Sequence, residues 1–346
     1  GCYRNLKNYK WINKVNFPFD YSLLKERLIT HPAIENKLKK NIVRLGSIEN
    51  HISHLVKSQY EVNPYPKWTS FPLSQKKYSI KEYLINKNIA FKENKTLNSQ
   101  NLEILVAGCG TGKELIQISS IIKNCNITAI DLSKSSLSYS MRKAREYKLK
   151  NINFYQCDLL NIKEFKSKFD IINCNGVLHH LDDPIEGWKQ LNGVLKEKGL
   201  MRISLYSQMG RLKIKPYQDQ YSTKNIKDFN AEIKEFRNNI LKSNQDLENF
   251  ISFSDFFNLS ELRDLIFHYK EHQFTIPKIK SALNDLNLSF IGFEDINNLK
   301  IDSLQKQFKN FFTNNENILN LDNWHIFENS HKDIFKYMYQ FWVQKN

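Results

Sequence analysis

The chain has 346 residues, 41% of them hydrophobic and 13% aromatic, and a formal net charge of +15. That composition supports a sizeable core and a folded globular protein, since a disordered chain would be poorer in both. No apolar run reaches the roughly 18 residues of a membrane-crossing helix, and no apolar signal core follows Gly1-Cys2-Tyr3-Arg4, so a cytoplasmic protein without a membrane partner is expected.

Residues 1–100 read as mainly helical and irregular. Helix-spaced apolar positions run from Tyr21 to Leu45, with a break expected at His31-Pro32, and Ile52, Leu55 and Val56 continue the period. Pro64 and Pro66 push the residues before them toward extended backbone. From residue 102 to 206 the pattern changes to short apolar runs alternating with helices. Glu103–Ala107 reads as a strand, Lys113–Lys123 as a helix and Ile127–Ile130 as a second strand. Ser133–Tyr147 is helical with Ser133 as its N-cap, and Ile152–Gln156 and Phe169–Cys174 are the next strands. Asp183 caps a helix opened by Pro184, with Glu186 completing a capping box, and Leu200–Tyr206 is a fifth strand.

Residues 207–275 are polar and helix-prone. Thr275-Ile276-Pro277 starts a helix to about Leu286, Leu288–Phe293 is a strand, and Tyr339–Gln344 can supply a last one. Strands alternating with helices predict a parallel sheet covered on both faces. The economical organisation is one α/β core at 101–206, completed by 276–346, with a helical extension at 1–100 and a helical insertion at 207–275.

The chemistry concentrates at strand ends. In Ile104-Leu105-Val106-Ala107-Gly108-Cys109-Gly110-Thr111-Gly112 the glycines follow a strand and precede a helix. They permit a sharp turn and a close backbone approach to a ligand beside free N–H groups. Asp131 ends the second strand, where an acid can accept both hydroxyls of a ribose. Asp158 follows the third strand, where it can accept from an adenine amino group, and Asn173-Cys174-Asn175-Gly176 closes the fourth. In open α/β sheets ligands bind beyond these carboxyl ends.

The ordered series GCGTG, AIDLS, QCDLL, NGVLHHLDDP and GLMRISLYS resembles the motifs of class I S-adenosylmethionine-dependent methyltransferases. The resemblance implies a Rossmann-like, doubly wound, seven-stranded sheet with a reversed last strand, and S-adenosylmethionine as cofactor. It implies Gly108, Cys109, Gly110 and Gly112 around the methionine and ribose, and Asp131 with Leu132 on the ribose. Asp158 with Leu159 would meet the adenine, and Asn175 the methionine. Most members carry an acid two residues before the first glycine; this chain has Val106. The segments NPYPKW, SELRDLIFHYKEHQFTIP and YQFWVQK resemble a bacterial subgroup of these enzymes.

Candidate bases are His179 and His180, which can equally pack and hydrogen-bond within the fold. On a helix, His268, Glu271 and His272 would share one face, as a base, a substrate clamp, a metal ligand set or, in the plainer reading, a polar lid surface. Cys2, Cys109, Cys125, Cys157 and Cys174 have no metal spacing, and no metal is expected. In related enzymes the N-terminal segment closes over the cofactor, which makes Gln59 and Tyr60 candidate cofactor contacts within the aromatic stretch to Trp68. An aromatic ring near the sulfonium favours its positive charge. Tyr206 and Arg211 border the same cleft.

The expected reaction is in-line methyl transfer to a small thiol, amine, hydroxyl or carboxylic acid, under a lid formed by the extension and the insertion. A thiol is attractive because its thiolate needs little help from a base. The alternatives are an RNA or protein acceptor, a cofactor-binding module without catalysis, and a dinucleotide enzyme that would leave CDLL and NGVLHH unexplained. The +15 charge favours RNA, but lysines occur in nearly every segment without a dense basic block, so nucleic acid is not the expected partner. The oligomeric state is not encoded in these patterns.

Overall fold

The computed structural model describes residues 9–93, 97, 99–166, 168–222, 225–294, 304–312, 316–335 and 337–346; Gly1-Cys2-Tyr3-Arg4 lies outside them. The strands are β1 (Val43–Leu45), β2 (Leu102–Ala107), β3 (Cys125–Asp131), β4 (Ile152–Cys157), β5 (Phe169–Asn175), β6 (Leu195–Tyr206), β7 (Leu288–Phe293) and β8 (Met338–Lys345). They form one sheet in the order β1-β4-β3-β2-β5-β6-β8-β7. The pairs from β1 to β6 are parallel, and β8 runs antiparallel to both β6 and β7. The reversed last strand expected at Tyr339–Gln344 is therefore present. The sheet has eight strands where seven were expected. The extra one, β1, comes from the N-terminal extension and covers the otherwise open edge of β4.

β2 is almost wholly buried, as a central parallel strand should be. Its alternate residues feed two cores. Leu105 and Ala107 join Ile172, Trp188, Ile203 and Phe341 on one face, while Ile104 and Val106 join Leu84, Leu115, Ile127 and Trp342 on the other.

The N-terminal helices are α1 (Ser22–Lys25), α2 (His31–Lys40), α3 (His51–Val62) and α4 (Ile80–Asn86). The break expected at His31-Pro32 does not occur. A π-helical turn, Glu26–Thr30, joins α1 to α2 and widens the helix where Pro32 has no N–H to give and its ring crowds the preceding turn.

The core helices are α5 (Lys113–Ile121), α6 (Lys134–Glu146) and α7 (Pro184–Val194). α5 stops two residues short of expectation because Ile122 is extended and bridges Tyr78. Ser133 caps α6 by accepting from Ser136 N. Asp183 caps α7 through the N–H groups of Ile185 and Glu186. The Glu186 carboxylate turns instead to Gln190 Nε2 at 2.6 Å.

Between β6 and β7 lie α8 (Gln208–Arg211), α9 (Lys215–Ser222), α10 (Phe229–Lys242), α11 (Asn244–Phe250), α12 (Leu259–Ile266) and α13 (Ile276–Asp285). Residues from α10 to just past α12 share an apolar cluster of their own, with Phe236, Phe250, Phe256, Leu262 and Phe267 at its centre. The last helices are α14 (Leu304–Phe311) and α15 (Leu321–Ser330). No helix among the described residues is long and apolar enough to cross a membrane.

Candidate active site

β2 ends at Ala107, and the chain enters α5 through Gly108 (φ +69°), Gly110 (φ +52°) and Gly112 (φ +85°). A Cβ on Gly110 would lie 2.6 Å from the carbonyl oxygen of Tyr65, and one on Gly112 would lie 2.0 Å from Ser140 Oγ. Gly110 thus admits the N-terminal segment, and Gly112 admits α6. Thr111 N donates to Tyr65 O at 3.2 Å, Thr111 Oγ1 donates to Pro66 O at 2.5 Å, and Trp68 Nε1 donates to Thr111 Oγ1 at 3.2 Å. These bonds clamp residues 65–68 onto the glycine turn.

Under this clamp a cavity of about 640 Å³ runs across the carboxyl ends of β4, β3, β2, β5 and β6. Small-molecule sites usually span roughly 300–1,000 Å³. Gly108, Cys109, Gly110, Asp131, Leu132, Asp158, Leu159, Asn175 and Tyr60 all line it. Gly112 and Gln59 are not on its wall. Gln59, on α3, is buried with both side-chain polar atoms unpaired.

Asp131 Oδ2 accepts from Gly110 N at 2.8 Å and Oδ1 from Ser133 N at 2.8 Å. Burial pushes its carboxyl up to about 6, and these two backbone bonds offset only part of that. Asp158 is buried; its Oδ1 accepts from Leu160 N at 3.0 Å, and Oδ2 has no partner. An unpaired buried carboxylate oxygen is costly, and an amino donor such as that of adenine fits the vacancy in its bonding.

The opposite end gathers polar groups from four elements. Tyr60 on α3 donates to Asp264 Oδ1 on α12 at 2.5 Å, and Tyr206 at the end of β6 donates to Asp264 Oδ2 at 3.4 Å. His180, just beyond β5, stacks on His268 with ring centroids 3.6 Å apart and planes 23° apart. The Nδ1 atoms of both rings meet one carbonyl, that of Lys270, at 2.8 and 2.7 Å. The carbonyl selects Nδ1–H tautomers and leaves both Nε2 atoms as acceptors. His268 Nε2 lies 3.2 Å from the Tyr60 hydroxyl, so a single phenolic proton faces two acceptors, Asp264 and His268. Burial, with His180 adding to it, holds the His268 imidazole well below its usual range, while burial and then Asp264 push the Tyr60 phenol up. His180, Asp264 and His268 bring three potential ligand atoms within 4.8 Å of one another.

The remaining candidates are dispersed. α12 ends at Ile266, so His268, Glu271 and His272 sit on an irregular segment and share no helix face. Glu271 pairs with Arg211 at 3.4 Å, and the Arg211 guanidinium lies 3.4 Å from the centroid of the Tyr206 ring. His272 Nε2 meets Asp182 O at 3.2 Å, off the cavity wall. His179 is fully buried, accepts from Tyr206 N through Nδ1 at 3.3 Å and does not reach the cavity. Sequence reasoning missed Asp264, Glu114 and Arg202, which all line the cavity. In the sequence Asp264 stands beside a second charge, Arg263, so no local pattern singles it out.

A family model described as a methyltransferase domain matches residues 98–258. An uncharacterized protein of Synechococcus sp. is 36% identical over 117 residues, covering 34% of this chain and 28% of its own. Malonyl-[acyl-carrier protein] O-methyltransferase of Bacillus anthracis is 29% identical over 110 residues, covering 32% of this chain and 39% of its own. The chain thus spans less than half the length of either relative. The solved structure of PKMT2 from Rickettsia typhi in complex with AdoHcy shares the fold, with a TM-score of 0.54 at 16% identity over 80% of this chain and 55% of that one. Residues 98–258 therefore match a methyltransferase domain, and the sheet with its reversed β8 shares the fold of the PKMT2 structure.

Proposed function

We propose that this chain transfers a methyl group from S-adenosylmethionine to a small-molecule nucleophile. The observation that carries the reading is the single cavity, which joins Asp158 and Asp131 at one end to Tyr60, His180 and Asp264 at the other. Bound there, S-adenosylmethionine supplies an electrophilic methyl group on a sulfonium. The unpaired Asp158 Oδ2 accepts from the adenine amino group, with Leu159 beside it. Asp131 accepts from the ribose hydroxyls, and Gly108, Cys109, Gly110 and Asn175 flank the methionine. The Tyr60 ring favours positive charge at the sulfur.

The chain's own contribution is position, exclusion of water and a place for a proton. Tyr60 and Tyr65 close the cavity from the N-terminal side. His180 Nε2, with its Nδ1 held by Lys270 O, takes the proton of an acceptor that arrives protonated. Amines, hydroxyls and carboxylic acids can use that base; a thiol needs it least and belongs in the same screen.

Calorimetric titration with S-adenosylmethionine and, separately, NAD tests the site, with Asp131→Ala as control. Micromolar binding of the methyl donor that the control loses is expected. Tighter binding of NAD would overturn the reading. S-adenosylhomocysteine release over a panel of small acceptors then tests turnover, and binding without any turnover would leave a cofactor-binding module.

A further inference from the structure

Val106 occupies the position where the resembling enzymes carry an acid; it joins the apolar core beneath the glycine turn and gives the cavity wall beside it no polar group. The neighbouring strands place polar residues in the same row: Val106 pairs with Asn173 on β5, and Asn173 with Arg202 on β6. Glu114, in the first turn of α5, reaches into this row. One of its oxygens pairs with Arg202 Nη1, and the other accepts from Asn175 Nδ2 at 2.7 Å. Arg202 is held in turn by Glu294 and by Gln340 Oε1 at 2.7 Å.

Glu114 and Glu294 differ in what they face. Glu294 is enclosed by Arg202, by Lys87 at 3.2 Å and by the Tyr83 hydroxyl at 3.3 Å. Glu114 lines the cavity with Asn173 and Asn175, close to the turn at Gly108. Asn173 Nδ2 is a buried donor without a partner at this same end, although Asn173 Oδ1 accepts from Arg202. A buried unpaired donor marks a place where a ligand acceptor belongs.

We infer that Glu114 replaces the missing acid and receives the α-ammonium of the cofactor's methionine end, with Asn173 Nδ2 free for the adjacent carboxylate. Arg202 and Asn175 fix the Glu114 carboxylate, so it is a positioning residue for the cofactor and does not touch the transferred methyl. A carboxylate supplied by α5 instead of β2 keeps the charge at the same end of the cavity while Val106 keeps the core apolar. The inference rests on the cofactor site proposed above.

The test is calorimetry with S-adenosylhomocysteine and with its deaminated analogue, on the wild-type chain, Glu114→Gln and Glu114→Asp. Hydrogen bonds to charged groups contribute enough for a loss of about tenfold to a hundredfold when one is removed. The wild-type chain should bind the deaminated analogue weaker by that factor. Glu114→Gln should bind S-adenosylhomocysteine weaker by a similar factor and no longer distinguish the two ligands, while Glu114→Asp restores part of the distinction. A merely structural role would weaken both ligands equally, and that result would overturn the inference. Equal binding of both ligands by the wild-type chain would overturn it even if Glu114→Gln failed to fold. Failure of the wild-type chain to bind either ligand would overturn the cofactor site as well.

Discussion

Asp131→Asn should stabilise the free protein at neutral pH while weakening its grip on the cofactor. The wild-type carboxyl is raised from 3.8 to about 6, and burial is the largest cause. Between those pH values the folded chain holds a proton that the unfolded chain has released. Stability from this group is therefore present below about pH 4 and lost as pH rises through about 6. The difference corresponds to about 3 kcal/mol at most, since Asp131 keeps some exposure to the cavity. Asparagine removes that cost but keeps only one of the two backbone N–H bonds, from Gly110 and Ser133, which returns about 1 kcal/mol. The net gain at pH 7.5 is about 1–2 kcal/mol, vanishing below pH 4. Urea unfolding at pH 4 and pH 7.5 measures both, and calorimetry should show S-adenosylmethionine binding weakened about tenfold to a hundredfold. A variant less stable than wild type at pH 7.5, or one with unchanged cofactor affinity, would refute the reasoning.

Tyr60→Phe keeps the ring and loses only the phenolic proton between Asp264 and His268, so cofactor affinity should stay nearly unchanged, whereas His180→Gln should lower turnover of an acceptor that arrives protonated about a hundredfold with cofactor affinity nearly unchanged. A matching loss of cofactor affinity would point to a binding role only. Because burial holds the His268 imidazole well below its usual range, its ring signals in an NMR titration should show no midpoint between pH 8 and 6.5, and a midpoint inside that window would contradict the buried placement. Gly110→Ala combines a left-handed backbone with a contact of 2.6 Å to Tyr65 O. It should cost about 1–3 kcal/mol in urea unfolding and loosen the 65–68 clamp, read by Trp68 fluorescence.

One half of the cavity lining was readable because its residues follow from the strand ends themselves. A glycine turn after β2, Asp131 closing β3 and Asp158 beyond β4 are fixed by local sequence, and all of them but Gly112 line the cavity. Gly112 instead answers to the packing of α6, through Ser140. The other half was not readable in that way. Periodicity placed His268, Glu271 and His272 on one helix face, but Phe267 follows the end of α12 and the three side chains diverge. Asp264 joins Tyr60 across 204 residues of sequence, a pairing that no local pattern can announce. β1 escaped notice because three residues, Val43 to Leu45, carry too short an alternation to stand out from the helix pattern before them.

The net charge of +15 does not choose the acceptor, because the cations nearest the cavity are neutralised from within. Arg202 lies between Glu114 and Glu294, Lys87 beside Glu294, and Arg211 against Glu271 and the face of Tyr206. Lys113, the other lysine on the cavity wall, is exposed. What lines the far end of the cavity is instead a set of phenols, the His180 imidazole and the Asp264 carboxylate, drawn from α3, α12 and the ends of β5 and β6. Such a set offers hydrogen-bond acceptors and aromatic walls, and of the cations lining the cavity Arg202 and Lys87 are already ion-paired. On the proposed function, acceptor choice would reside in the N-terminal helix and the insertion, and exchanging surface lysines should alter solubility and encounter rate without altering which nucleophile is methylated.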